Sequence, residues 1–136
     1  MSKPFFICRG NIIYAGDRNR LTVHEDSYLV VKDGIVEGIY PVLPEQYASL
    51  EVKDYGRGLI IPAFTDLHVH APQYVQRGIG MDVLLSDWLN QYTFPQEARF
   101  ADMEYAKNVY DAFVDDLIRQ GTFHAAIFAT IHREAT

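Results

Sequence analysis

The sequence has little cysteine and no long hydrophobic run, and both shortages exclude classes of protein. Its one cysteine, Cys8, cannot form a disulfide within the chain, which suits a reducing compartment. The longest apolar runs, such as Leu59–Phe64, are far shorter than the roughly 20 residues of a membrane-spanning helix. Residues Met1 to Gly10 lack the basic segment and apolar core of a secretory signal peptide. We therefore expect a cytoplasmic protein with no membrane partner.

Positive charge is scarce as well. The chain has 12 lysine and arginine residues against 18 aspartate and glutamate residues, which gives a formal net charge of −6. Such a field repels polyanions, and no cluster of basic side chains offsets it. We therefore expect no nucleic-acid partner.

Apolar residues, in contrast, make up 49% of the chain, which is enough to form a buried core. Residues 1–57 have the composition of a β-rich part. Asp33-Gly34 can adopt the positive φ angles of a tight turn, so Tyr28–Lys32 and Ile35–Tyr40 are predicted to form a hairpin around it. The other elements predicted here are strands Phe5–Cys8, Asn11–Ala15 and Val52–Tyr55 and a short helix at Glu45–Ser49.

The remaining residues predict a strand, a helix and a second strand. Leu59–Phe64 is almost continuously apolar, which is typical of a strand buried on both faces of a parallel sheet. A short helix is predicted at Val83–Tyr92 and a longer one before Gly121, after which Thr122–Ile131 is again mostly apolar. Strands joined through a helix pair in parallel with a right-handed crossover, as at the start of an α/β barrel or open sheet.

The longer helix has clear ends and one apolar face. Asp102 can cap its first turn, and Gly121 can end it in a left-handed conformation. Apolar side chains recur at three- and four-residue spacing along it, at Ala106, Val109, Tyr110, Phe113, Val114, Leu117 and Ile118. Asp111, Asp115 and Asp116 fall on the other face, where we expect them to be solvated and to have no catalytic role.

Two histidines carry the chemistry of this sequence. His68 and His70 are two residues apart at the end of a predicted strand, so their side chains point to the same face. Both imidazoles can then reach one metal ion, and zinc accepts neutral imidazole as a ligand. Asp66 precedes them with the same alternation and can accept a hydrogen bond from an imidazole N–H. The alternative is a pair of core or loop histidines with hydrogen-bonded rings.

The surrounding residues resemble a known family. Leu59–His70 is similar to the first barrel strand of the amidohydrolase superfamily, usually written Pro-Gly-Phe-x-Asp-x-His-x-His, with Ala63 in place of the glycine. Within that superfamily, three further segments resemble the guanine deaminase family: Ala71–Tyr74, Asp87–Pro95 and Phe128–His132. The resemblance covers residues 59–132, and the β-rich residues before them fit the same family.

The resemblance implies an α/β fold with two parts. Residues 1–57 would be the N-terminal β-rich part of a small β-sandwich, and residues 58–136 the first βαβ portion of a (β/α)8 TIM-type barrel. That barrel is incomplete here, because a whole one needs about 200–250 residues. For the complete enzyme it implies a homodimer and a zinc-dependent hydrolase that converts guanine to xanthine and ammonia.

The resemblance also implies roles for individual residues. His68 and His70 would be metal ligands, with one zinc ion per complete subunit, and Gln73 and His70 would contact the purine. The remaining ligands and acid/base groups would lie beyond residue 136. We therefore assign no catalytic residue within this chain and expect the chain alone to be inactive and to bind zinc weakly.

Gln73 has the right chemistry for that role. A carboxamide offers both a donor and an acceptor, so it can match the lactam or amidine edge of a purine. A buried amide that a wrong base leaves unpaired costs about 1–3 kcal/mol. The alternative is a surface glutamine in a loop.

For Trp88 and Leu89 we expect core packing rather than a place in the pocket wall. His24, His124 and His132 are isolated, and we expect ordinary hydrogen-bonded histidines there.

Two other functions stay open. The chain could be part of an amidohydrolase that deaminates or dechlorinates a different heterocycle, such as a pyrimidine, a triazine or an adenine-type ring. It could instead be a non-enzymatic metal-binding or interaction module that functions at this length. Gln73 and the run from Trp88 to Pro95 argue against the first. The abrupt end soon after the second strand argues against the second, since it fits a truncated chain.

Overall fold

The computed structural model of this chain describes residues 5–136 and contains two compact units, Met1–Pro62 and Ala63–Thr136. Residues 1–4, where the predicted β-rich part begins, lie outside the described residues. Within residues 5–136, no helix is both long and apolar enough to cross a membrane.

The first unit is a four-stranded sheet with the strand order β3-β2-β1-β4. Its strands are β1 (Phe5–Asp17), β2 (Arg20–Lys32), β3 (Ile35–Tyr40) and β4 (Val52–Ile60). β1, β2 and β3 pair antiparallel, whereas β4 runs parallel to β1. β-branched and aromatic residues are frequent along β1 and β2, as expected for strands on a pleated and partly buried surface.

The predicted hairpin is confirmed. Asp33 and Gly34 have φ angles of 58° and 81°, and the strands on either side of them pair antiparallel. The two strands predicted at Phe5–Cys8 and Asn11–Ala15 are instead one strand, β1. The register of its pairing with β2 shifts between Gly10 and Ile12, but the two strands remain paired on both sides of the shift.

The core of the first unit is formed by Ile7, Val30 and Tyr47, which are almost fully buried. Tyr47 comes from a 3-10 helix at Glu45–Tyr47, which is shorter than the predicted helix. Cys8 is also buried, and burial raises the pKa of its thiol. A raised pKa leaves little thiolate near neutral pH, so Cys8 is a packing residue and a poor nucleophile.

The prediction of one buried strand at Leu59–Phe64 was wrong. β4 continues through Gly56, which has a φ of +56°, and ends at Ile60. Pro62 lacks the N–H that a sheet ladder needs, and the next strand starts at Phe64. Leu59 and Phe64 are 65% and 56% exposed. Among the described strands only one pairs with the strand that begins at Phe64, so one edge of that strand is unpaired.

The second unit joins two parallel strands through helices. Its strands are β5 (Phe64–His70) and β6 (Thr122–Phe128), which pair in parallel as predicted. Between them lie a 3-10 helix (Ala71–Gln76), α1 (Leu85–Trp88), a π-helical turn (Leu89–Thr93), α2 (Phe94–Ala98) and α3 (Met103–Arg119). β6 ends three residues before the predicted Ile131. The helix predicted at Val83–Tyr92 starts later and continues through α2, since Pro95 lies in the first turn of α2, where a missing N–H is tolerated.

α3 is the predicted longer helix. The Asp102 carboxylate accepts hydrogen bonds from the backbone N–H groups of Glu104 and Tyr105, over 2.9 and 3.3 Å. Gly121 follows the helix with a φ of +81°, which a residue with a Cβ rarely adopts. The apolar stripe buries Ala106, Val109 and Phe113, the first two in a core shared with Phe100 and Ala135. Both predicted helix ends are therefore confirmed.

Candidate active site

His68 and His70 share one orientation at the carboxyl end of β5. Their Nε2 atoms are 3.1 Å apart, and their ring centroids are 5.1 Å apart. This geometry follows from the strand, because side chains two residues apart lie on the same face. The shared orientation predicted from the His-x-His spacing is confirmed.

The separation of the two nitrogens fits one metal ion. Two imidazole nitrogens at about 2.0–2.1 Å from a tetrahedral zinc ion lie about 3.3 Å from each other. The same separation suits a hydrogen bond between one protonated and one unprotonated ring nitrogen. Within residues 5–136, no group of three or more His, Cys, Asp or Glu side chains could hold a metal ion. The described chain thus offers two ligands, whereas a catalytic zinc site has three from the protein.

Two neighbours fix the histidine pair. Phe128, at the end of β6, stacks on the His70 ring with a centroid distance of 4.7 Å and an interplanar angle of 11°. It also contacts His68, again at 4.7 Å between centroids. The Asp66 carboxylate accepts a hydrogen bond from the backbone N–H of His68 over 3.0 Å. Asp66 therefore bonds the backbone at the end of β5, whereas the sequence suggested a hydrogen bond from an imidazole N–H.

Sequence reasoning assigned Phe128 no role, although a cue was present. In parallel strands, residues at the carboxyl ends come to the same edge of the sheet, and β6 pairs Phe128 directly with His70. The predicted second strand, Thr122–Ile131, thus already contained an aromatic residue near this edge, three residues before its predicted end.

A cavity of about 500 Å³ lies beside the pair. His68, His70, Gln73 and Trp88 all line it, so the structure brings together the three residues that sequence reasoning assigned to the site. Its size lies within the range of small-molecule sites.

The prediction that Trp88 packs in a core was wrong. Trp88 is half-buried and lines this cavity. Its indole N–H donates to the carbonyl oxygen of Ile79 over 2.8 Å.

Asp116 also lines the cavity, which corrects its predicted place on a solvated face. It is half-buried and accepts hydrogen bonds from the Tyr74 hydroxyl over 2.6 Å and from the Arg77 guanidinium over 3.3 Å. The Tyr74 hydrogen bond lowers the pKa of the Asp116 carboxyl and raises the pKa of the Tyr74 phenol. A helical pattern could not reveal this, because Tyr74 precedes Asp116 by 42 residues.

The three other histidines do not line this cavity. His24 stacks on Tyr14 with ring centroids 6.0 Å apart, and His124 is exposed on β6. The Nε2 atoms of His24 and His132 are buried and have no hydrogen-bond partner among residues 5–136, so the expected hydrogen bonds are missing at these two atoms.

Comparison with known proteins places this site in a family. The model of the amidohydrolase family matches residues 59–135, which include β5, α3 and β6. The chain belongs to the amidohydrolase family. The match contains His68 and His70 and every other residue that lines the cavity.

Within that family, the chain is similar to curated guanine deaminases. The chain is 48% identical over 85 residues to guanine deaminase from Dictyostelium discoideum, an alignment covering 62% of this chain and 19% of that protein. It is 40% identical over 114 residues to guanine deaminase from Escherichia coli K12, covering 82% of this chain and 26% of that protein. The resemblance to guanine deaminases seen in the sequence is therefore confirmed.

The chain is also similar to solved structures of guanine deaminases. A crystal structure of guanine deaminase from C. acetobutylicum with guanine bound in its active site matches 98% of this chain with a TM-score of 0.90 and 43% identity. The E. coli guanine deaminase structure matches 97% of it with a TM-score of 0.78 and 32% identity. The mixed α/β fold is thus that of guanine deaminase structures. This chain spans 32% of each of those two proteins.

Proposed function

We propose that this chain is the N-terminal part of a zinc-dependent hydrolytic deaminase that converts guanine to xanthine and ammonia. One observation carries the proposal: His68, His70 and Gln73 line one cavity, with the two imidazole nitrogens 3.1 Å apart. The similarity to a guanine deaminase whose structure contains guanine supports the choice of substrate.

The domain organisation is part of the proposal. Residues 1–57 would belong to a small β-sandwich, and residues 58–136 would be the first βαβ portion of a (β/α)8 barrel. The parallel pairing of β5 and β6 supports the barrel, since parallel strands joined through helices are its repeating unit. Barrel enzymes place their active sites at the carboxyl ends of the strands, where His68 and His70 lie. The complete enzyme would be a cytoplasmic homodimer.

His68 and His70 would hold the metal through their Nε2 atoms. Zinc, when bound, supplies Lewis-acid chemistry that makes water a nucleophile near neutral pH. Phe128 and Asp66 prepare the ligands, because the stacked ring and the bonded backbone N–H hold both imidazoles in one orientation. The other ligands and the acid/base groups would come from polypeptide beyond residue 136.

Other residues of this chain would bind and orient the base. Gln73 would match one donor and one acceptor of the purine edge with its amide, and His70 would contact the same ring. Trp88 would cover one side of the base and exclude water. In the hydrolysis, the bond between the ring carbon and the exocyclic amino nitrogen breaks, the oxygen of water becomes the new carbonyl oxygen, and the nitrogen leaves as ammonia.

The test begins with the coding sequence beyond residue 136. The complete polypeptide, expressed with zinc, should form xanthine from guanine and should not release ammonia at a comparable rate from adenine or cytosine. His68→Ala and His70→Ala should each abolish the reaction, whereas His124→Ala, on the same sheet but outside the cavity, should keep it. Turnover of another heterocycle in preference to guanine would refute the substrate assignment.

A further inference from the structure

A hydrogen-bonded cluster ties the segment that carries Gln73 to α3. The Tyr74 hydroxyl donates to the Asp116 carboxylate over 2.6 Å, and the Arg77 guanidinium donates to the same oxygen over 3.3 Å. The Arg77 guanidinium also lies over the Tyr74 ring, 4.0 Å from its centroid. One aspartate on α3 thus holds the 3-10 helix Ala71–Gln76 and the residue that follows it.

The Tyr74 side chain is fixed along its whole length. Its ring packs edge-on against Phe113, with 5.8 Å between centroids and an interplanar angle of 71°. Phe113 is buried on α3, one turn before Asp116. A hydrogen bond from a hydroxyl to a carboxylate is among the strong ones in proteins, and the 2.6 Å separation is usual for one. Because α3 has 17 residues and a capped first turn, it is a rigid base for both contacts.

Gln73 depends on this tether for its position. It precedes Tyr74 directly within the 3-10 helix, and its side chain lines the cavity. Within residues 5–136, no protein hydrogen bond orients the Gln73 amide, so the backbone on either side must place it. Gln76, at the other end of the helix, donates to the Thr93 hydroxyl over 3.0 Å and is buried. The helix is therefore fixed by its neighbours at Tyr74 and at Gln76.

We infer that Asp116 is a positioning residue that sets the place of Gln73 in the cavity through the Tyr74 hydroxyl, and so determines how tightly the base is bound. This inference rests on the proposed function, since Gln73 must be the residue that reads the base. Asp116 also lines the cavity, which makes direct contact with the ligand the rival explanation. The two explanations predict different results for Tyr74→Phe. That variant keeps the Asp116 carboxylate and removes only the hydrogen bond between Tyr74 and Asp116.

The test is steady-state kinetics on the complete polypeptide with guanine as substrate. Tyr74→Phe and Asp116→Asn should each raise KM about tenfold and change kcat less than about twofold, because they loosen binding of the base and leave the metal ligands alone. The double variant should be no worse than the more severe single variant, since both act through one hydrogen bond. Asp115→Asn removes the same charge from an exposed neighbour on α3 and should leave KM unchanged.

The kinetic result decides between the two explanations. An Asp116→Asn effect with an unchanged Tyr74→Phe variant would mean direct contact with the ligand and would overturn the inference. Equal effects on KM from Asp115→Asn would overturn it as well, because they would show a general charge effect.

Hydrogen exchange separates this inference from the proposed function. In the complete polypeptide without substrate, the amides of residues 73–76 should exchange at least about fivefold faster in Tyr74→Phe and Asp116→Asn than in Asp115→Asn. If the wild type fails to deaminate guanine, the proposed function falls, and the role of Asp116 in reading guanine falls with it. Exchange rates equal in all three variants would overturn the inference while leaving guanine deamination intact.

Discussion

The Nε2 atoms of His68 and His70 face each other across 3.1 Å, although neither ring is fully buried. Two exposed or half-exposed rings keep this arrangement because Phe128 packs against both of them and because the strand spaces their Cα atoms. The pair is thus already organised, which would lower the cost of ordering the proposed metal site.

Zinc binding to these 136 residues alone should be weak and should depend on both histidines. Two imidazoles provide fewer ligands than the three or four of a stable zinc site. Isothermal titration calorimetry should show affinity well short of nanomolar, and His68→Ala or His70→Ala should remove the heat signal. His124→Ala is the control and should bind as the wild type does. Nanomolar affinity lost on mutation of either histidine would mean that the chain holds a complete site.

Gln73→Ala should weaken the reaction of the complete enzyme with guanine. Losing the amide leaves polar atoms of the base unpaired, which costs about 1–3 kcal/mol, and kcat/KM should fall roughly tenfold to hundredfold. Gln91→Ala, which changes an exposed glutamine of the π-helical turn, should stay close to wild type. If both variants retain full kcat/KM, Gln73 does not contact the base.

Local patterns predicted the elements of this fold well where the responsible interactions are close in sequence. The hairpin at Asp33-Gly34, the Asp102 cap and the end of α3 at Gly121 each depend on a few adjacent residues. The shared orientation of His68 and His70 follows in the same way from the period of a strand.

Predictions failed where distant residues decide the outcome. Leu59–Phe64 looked like one buried strand, but pairing with β1 takes Leu59 into the first unit, and Pro62 separates it from β5. The partner of Asp116 lies 42 residues earlier in the chain, so its helical face alone could not reveal it. Trp88 was expected to pack in a core, whereas it is half-buried and lines the cavity.

Gly80→Ala should destabilise the segment beside the cavity. Gly80 has a φ of +67°, and an added Cβ would lie 2.6 Å from Cε2 of Tyr92 and 2.9 Å from Cδ1 of Trp88. Backbone strain and the clash together should lower the free energy of unfolding by about 2–4 kcal/mol. Gly78→Ala is a matched control, because Gly78 has a φ of +76° and nothing within 4 Å of an added Cβ. Urea denaturation should show a larger loss of unfolding free energy for Gly80→Ala than for Gly78→Ala. Equal losses would show that the added Cβ at Gly80 is accommodated without further destabilisation.

Asp102→Ala should destabilise α3 through its first turn. The variant leaves the N–H groups of Glu104 and Tyr105 without the carboxylate that accepts from both. Loss of an N-cap lowers the free energy of unfolding by about 1 kcal/mol. Asp115→Ala, in the exposed middle of the same helix, should change it by less than about 0.5 kcal/mol in urea denaturation. A cap variant as stable as Asp115→Ala would contradict the assignment.

The Asp116 carboxyl should titrate below its ordinary range, because the Tyr74 hydroxyl lowers its pKa. A lowered folded-state pKa means that the stabilisation is complete above the unfolded value of 3.8 and is lost as the pH falls through the lower folded value. NMR of ¹³C-labelled aspartate should show the Asp116 pKa moving up toward 3.8 in Tyr74→Phe. Asp115→Asn should leave the titration of Asp116 in place, and an unchanged Asp116 pKa in Tyr74→Phe would rule out the hydrogen bond as its cause.

Trp88 is the only tryptophan in these 136 residues, and its indole both lines the cavity and bonds to Ile79. Fluorescence excited at the red edge of the absorption band, where tyrosine does not absorb, would therefore originate from a single fluorophore in the wall of this cavity. If a purine binds in this cavity as proposed, it should change the Trp88 emission, which would then report occupancy without an added label.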